Sequence, residues 1–150
     1  MGRVILGILM LSLLGSAEIK VRCSRCTAGK EKLRCDYYVG QKGEKSHQDQ
    51  CRIYAEYVDV DGAHAKAARY YLLAGDPGRA MVAARKALEQ GQEYGREFLA
   101  IALWIEGRRD EALEEMARFK EHVPGHDYLQ RDLKEIGRLY PEAKLELSPL

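Results

Sequence analysis

Gly75-Asp76-Pro77-Gly78-Arg79-Ala80 and Gly107-Arg108-Arg109-Asp110-Glu111-Ala112 are two forms of one punctuation mark, set 32 residues apart. Each opens on a glycine that closes the run before it. In the first, Asp76-Pro77 reads as an N-cap followed by a proline in the first helical turn. Each mark leads into a run with apolar residues on one side.

Working outward, Ala63 to Ala74 is a helical run that ends at Gly75, and Arg79 to Gln90 is the next, ending at Gly91. Glu93 to Glu106 stops at Gly107, and Asp110 to His122 stops at Pro124-Gly125. Asp127 to Tyr140 carries Leu129, Leu133, Ile136 and Tyr140 on one face, and Pro141 ends it. Ala, Leu, Glu, Lys and Arg dominate these runs and β-branched residues are sparse. The linkers are so short that consecutive helices must return as antiparallel hairpins. A fixed period in the low thirties predicts an all-α protein, an alpha-solenoid of about three hairpins with a C-terminal capping helix.

Upstream the pattern weakens. Leu33, Tyr37 and Tyr38 mark one helix, Gly40 to Gly43 a turn, and Ser46 to Val58 a second helix with Cys51, Ala55 and Val58 on one face. The expected organisation is an export signal over 1–17, a cysteine-containing helical hairpin over 18–60, the repeats with their cap over 61–141, and a loosely held tail over 142–150.

The export reading rests on Arg3, the apolar run Val4 to Leu14, and the small residues Gly15-Ser16-Ala17. That run is short for a membrane span, which needs about 20 residues. An uncleaved anchor or a buried helix is the competing reading. The formal net charge of the chain is +1. Such a balance supplies no field for nucleic acid or, after signal cleavage, for an anionic membrane. With 46% hydrophobic and 31% charged residues the composition is globular.

Four cysteines, Cys23, Cys26, Cys35 and Cys51, lie in the first third of the chain. Cys23-x2-Cys26 is a good half-site for zinc, but Cys35-x15-Cys51 is not a second knuckle. Nine helical steps also hold Cys26 about 13 Å from Cys35. Arg22 and Arg25 would lower a thiolate pKa at the Cys-x-x-Cys, yet no strand precedes it as redox folds require. Disulfides fit better. Cys35 and Cys51 stand about eight residues either side of the turn centre, at one height in an antiparallel hairpin. The expected pairs are Cys35–Cys51 and, by elimination, Cys23–Cys26. An oxidising compartment outside the cytosol suits them.

The repeats resemble the tetratricopeptide repeat family over about residues 61–125. In one copy His64 stands at the usual Trp place, followed by Ala67, Ala68 and Tyr71, then Ala80, Ala84 and Ala87, with Gln92 at the Pro place. In the next, Arg96 is at the Trp place, then Leu99, Ala100 and Leu103, then Ala112, Met116, Phe119 and Pro124. The resemblance implies a concave surface on the first helix of each hairpin. Mapped here it takes in Arg69, Leu72 and Leu73, then Tyr94, Glu97, Ile101, Trp104 and Ile105. The alternative is that the capping helix buries Trp104 and Ile105, because a short array has little free groove.

The implied function is a non-catalytic interaction module or assembly scaffold for a protein or peptide, with no cofactor or metal. The rival is a small periplasmic thiol–disulfide or metal-handling protein that uses Cys23 and Cys26. Asp59-Val60-Asp61-Gly62 fails as a calcium loop, since Tyr57 takes the first ligand place and Ala68 the closing one. Glu111, Glu114 and Glu115 read as a solvated helix face. No phosphate-binding loop, nucleophile elbow or His-Glu-x-x-His motif occurs.

Overall fold

The computed structural model describes residues 29–125 and 128–146. The expected signal segment, Cys23 and Cys26 lie outside them. The described residues are helical and contain no strand. We number the helices α1 (29–41, with Cys35–Gln41 wound as a π-helix), α2 (Gln48–Val60), α3 (His64–Leu73), α4 (Pro77–Glu89), α5 (Gly95–Ile105), α6 (Arg109–His122) and α7 (Tyr128–Gly137). From α2 to α6 each helix packs on its neighbour in sequence, and α3 also meets α5.

The glycines end the helices as read. At Gly75 (φ 79°) the amide of Gly75 donates to Leu72 O and that of Asp76 to Tyr71 O. At Gly107 (φ 82°) the amide of Gly107 donates to Trp104 O and that of Arg108 to Leu103 O. This is the Schellman pairing, and every atom in it recurs 32 residues on. The Asp76 carboxylate caps α4 by accepting from the Arg79 amide at 3.0 Å.

Alanine sets the helix spacing. All the buried residues of α4 are alanines: Ala80, Ala83, Ala84 and Ala87. Against them lies Gly95, where an added Cβ would sit 2.8 Å from both the Ala84 carbonyl oxygen and the Ala87 Cβ. Only small residues let two helix axes approach this closely. Helix α5 is apolar almost all round and is accordingly the central helix, with Phe98 to Trp104 all buried.

Three local expectations differ from what is found. Gly40 belongs to helix rather than turn, because α1 runs on to Gln41. Its last carbonyls, Gly40 O and Gln41 O, accept from the Arg138 guanidinium, which satisfies the helix end. Helix α5 starts at Gly95, two residues later than Glu93. Residues 92–95 form a turn first, in which the Gly95 amide donates to Gln92 O and the Arg96 amide to Glu93 O, while the Gln92 side chain accepts from the Ala65 amide and donates to Gly62 O, capping α3 from a distance. Finally, the segment after Tyr140 is anchored through residue 145. Pro141–Ala143 forms a 3-10 turn, Ala143 O accepts from Trp104 Nε1 at 2.8 Å, and Leu145 packs on the core.

Candidate functional site

Cys35 and Cys51 form a disulfide that ties α1 to α2, with Cα atoms 4.9 Å apart. Both are fully buried, so this bond is part of the core.

The eight residues mapped to a concave groove have a different setting from an open surface. Leu72, Leu73, Glu97 and Ile101 have no exposure, Trp104 is buried at 7%, and Ile105 packs against the core. Arg69 is turned toward α7 and ion-paired. Tyr94 alone is open, at 49%, with its ring edge near Phe119. The covering element is α7 and the turn after it. Leu129, Leu133, Ile136, Leu139 and Tyr140 are all buried, and Tyr140 OH donates to Leu72 O at 2.6 Å. The apolar stripe legible in the sequence is thus the stripe that fills this face.

Beneath α7 runs a polar network that joins four helices. Arg69 Nε on α3 donates to Asp132 Oδ1 on α7 at 3.1 Å, and its Nη2 donates to Glu135 one turn along. Asp36 on α1 faces the same guanidinium at 3.9 Å and accepts from Tyr70 OH. Burial opposes the Arg69 charge, but Asp132, Tyr70 and Glu135 outweigh it and hold the group firmly protonated. Glu97 on α5 has no exposure and lies beside Asp132. Burial first, then the Asp132 charge and hydrogen bond, push its pKa up to about 9. It is therefore neutral at pH 7. Burial and the bond to Asp36 likewise raise the Tyr70 phenol.

Sequence reasoning named Arg69 and Glu97 but not Asp132, Glu135, Asp36 or Tyr70. The one available signal was Glu97 itself, a lone acid ahead of the apolar run Phe98 to Ile105.

Above this network the surface opens as two adjoining clefts. One, about 450 Å³, lies between α1, α3 and α7, with Lys32, Lys66 and Arg131 beside Arg69. The other, about 390 Å³, shares Gln41, Arg131 and Glu135 with the first and adds Lys134 and Arg138. Lys32 pairs with Asp36. Lys66 meets only the Tyr54 ring, at 5.7 Å, and neither it nor Lys134 has a carboxylate partner among the described residues. On α1, Leu33 and Tyr37 stand exposed at 68% and 50%, one position on from Lys32 and Asp36.

His64, at the usual Trp place, bridges helices: Nδ1 bonds Asp59 Oδ1 at 2.6 Å and Nε2 lies 3.2 Å from Gln90. Among the described residues no group of three or more His, Cys, Asp or Glu side chains could hold a metal ion, and no helix is long and apolar enough to cross a membrane. No family model, no curated protein and no solved structure matches this chain.

Proposed function

We propose that the chain is an exported, non-catalytic helical-repeat module of the tetratricopeptide type, which binds a protein or peptide or serves as a scaffold in an assembly. The observation that carries this reading is recurrence at 32 residues. Ala68 and Ala100, Tyr71 and Leu103, Ala80 and Ala112, Ala84 and Met116, and Ala87 and Phe119 are pairs of buried positions at that spacing. The Schellman ends at Gly75 and Gly107 keep the same step. A chain built by repeating one hairpin makes an extended surface from a small unit, which is what binding modules need. The α1–α2 pair is then the degenerate first hairpin, held by its disulfide, and α7 is the cap.

The test uses the full chain in a cell that exports it, with a photo-crosslinker at Tyr94 or Tyr37. A stoichiometric protein adduct and no dithiol turnover support the module. Insulin reduction that disappears in Cys23→Ser/Cys26→Ser, with no adduct, supports the thiol–disulfide rival instead.

A further inference from the structure

The concave face is filled by α7, so a partner of this module must dock elsewhere. The two clefts between α1, α3 and α7 are the strongest remaining feature. Six basic side chains converge there, and they face only Asp36 and Glu135 among the lining residues, with Asp132 beneath. The chain as a whole is almost neutral, at +1. A local excess of this size on a balanced chain is a concentrated field.

The internal pairs consume part of that excess. Arg69 is committed to Asp132 and Glu135, and Lys32 to Asp36. Arg138 is committed to the carbonyls of α1. Lys66, on α3 in the first cleft, and Lys134, on α7 in the second, remain without a carboxylate among the described residues, while Arg131, common to both clefts, lies 3.6 Å from Asp132 and is partly committed to it. Cations spread over two adjoining clefts suit a ligand that carries several carboxylates in a row rather than one small anion. The neighbouring Leu33 and Tyr37 are apolar, exposed and aligned along α1. Exposed aromatic and aliphatic side chains beside a charged cleft fit a peptide with an apolar side chain among its acids.

We propose that the two adjoining clefts walled by α1, α3 and α7 together dock an acidic peptide segment of the partner, its carboxylates on Lys66, Arg131 and Lys134 and an apolar side chain against Leu33 and Tyr37. This rests on the interaction-module reading and names the partner's chemistry. The two lysines act mainly by steering and register, so binding weakens as salt rises.

The experiment is fluorescence anisotropy with the full chain and a labelled eight-residue Asp/Glu peptide that carries one central Phe. Its Asn/Gln counterpart and inorganic phosphate serve as comparators. The acidic peptide is expected to bind, more weakly in high salt, and phosphate at equal charge to compete poorly. Lys66→Gln/Lys134→Gln is expected to bind about tenfold more weakly. Both side chains are free of ion pairs among the described residues, and circular dichroism checks that helicity is kept. Leu33→Ser/Tyr37→Ser is expected to weaken the Phe peptide but not a Phe-free acidic peptide. Arg118→Gln, outside the cleft, is expected to change nothing. Absent binding, equal binding of the neutral peptide, full competition by phosphate, or unchanged affinity in Lys66→Gln/Lys134→Gln would each overturn the proposal. If a cross-linked partner is recovered while the lysine variant binds peptide unchanged, the cleft fails and the module stands. If no partner is recovered and the chain reduces insulin, the module fails.

Discussion

Glu97→Gln should stabilise this protein, and more so as pH rises. Glu97 is fully buried and its folded pKa stands at about 9, against 4.5 for the free side chain. Above pH 4.5 the unfolded chain has lost this proton, and folding must take it up again. The sign follows: stability from this group is complete below pH 4.5 and is lost as pH rises toward 9. Each pH unit in that window costs about 1.4 kcal/mol, so the penalty at pH 7 is on the order of 3 kcal/mol. Gln is neutral at every pH and can donate to Asp132 as the protonated acid does. Urea unfolding followed by helical circular dichroism at pH 5, 7 and 8.5 reads the effect. The variant should match wild type near pH 5 and lead it by about 3 kcal/mol at pH 7, with a wider margin at pH 8.5. A difference that stays constant with pH, or a variant weaker than wild type at pH 8.5, would refute the claim that Glu97 is held neutral beside Asp132.

Three further substitutions probe the packing. Arg69→Met leaves the buried Asp132 and the half-buried Glu135 without this cation and should cost about 3 kcal/mol, read from the urea midpoint; a change below about 1 kcal/mol would mean the network is dispensable. Cys35→Ser/Cys51→Ser opens a loop with a sequence separation of 16. It should cost about 3 kcal/mol, visible as a lower Tm under non-reducing conditions, and an unchanged Tm would contradict a structural bond. Gly95→Ala pushes a methyl to 2.8 Å from the Ala84 carbonyl oxygen and should force α4 from α5. Overpacking of that kind costs about 1–3 kcal/mol in thermal unfolding. Gly78→Ala, whose Cβ meets only Asp76 Oδ1 at 3.6 Å, should be neutral or slightly stabilising.

What was legible in the sequence was local. Gly75, Gly91 and Gly107 end their helices because a positive φ is cheap only for glycine, and that preference is written in single residues. Asp76 caps α4 for the same kind of reason. The Cys35–Cys51 pairing could be derived because a hairpin places positions equidistant from its turn at one height. The buried face of α7 was visible as Leu129, Leu133, Ile136 and Tyr140, yet its destination was not. A stripe states that a helix is covered, and carries no mark of what covers it. Asp132 and Glu135 read as ordinary helix-surface acids because their cation, Arg69, lies 63 and 66 residues away. Gln92, at the usual Pro place, likewise showed no sign of its bond to Ala65 from 27 residues off.

For the proposed module the position of α7 decides where a partner can bind, and the contacts α7 holds weigh against its moving aside. Leaving its place against α3 and α5 would expose Leu129, Leu133, Ile136, Leu139 and Tyr140. Each such side chain contributes about 1.5–3 kcal/mol when buried, so the group accounts for roughly 8–15 kcal/mol. A whole domain is stable by only about 5–15 kcal/mol. The same motion would strand Arg69 from Asp132 and Glu135, and strip Arg138 from the end of α1. The proton held by Glu97, on the order of 3 kcal/mol at pH 7, and the conformational freedom that α7 would regain both oppose these terms. An α7 that opened to admit a peptide would give up this burial and these pairs together. Helix α7 is better understood as a wall than as a lid. Its buried side completes the core, and its outer side presents Arg131 and Lys134 to the cleft. The element that closes the expected groove thus builds half of the surface that remains.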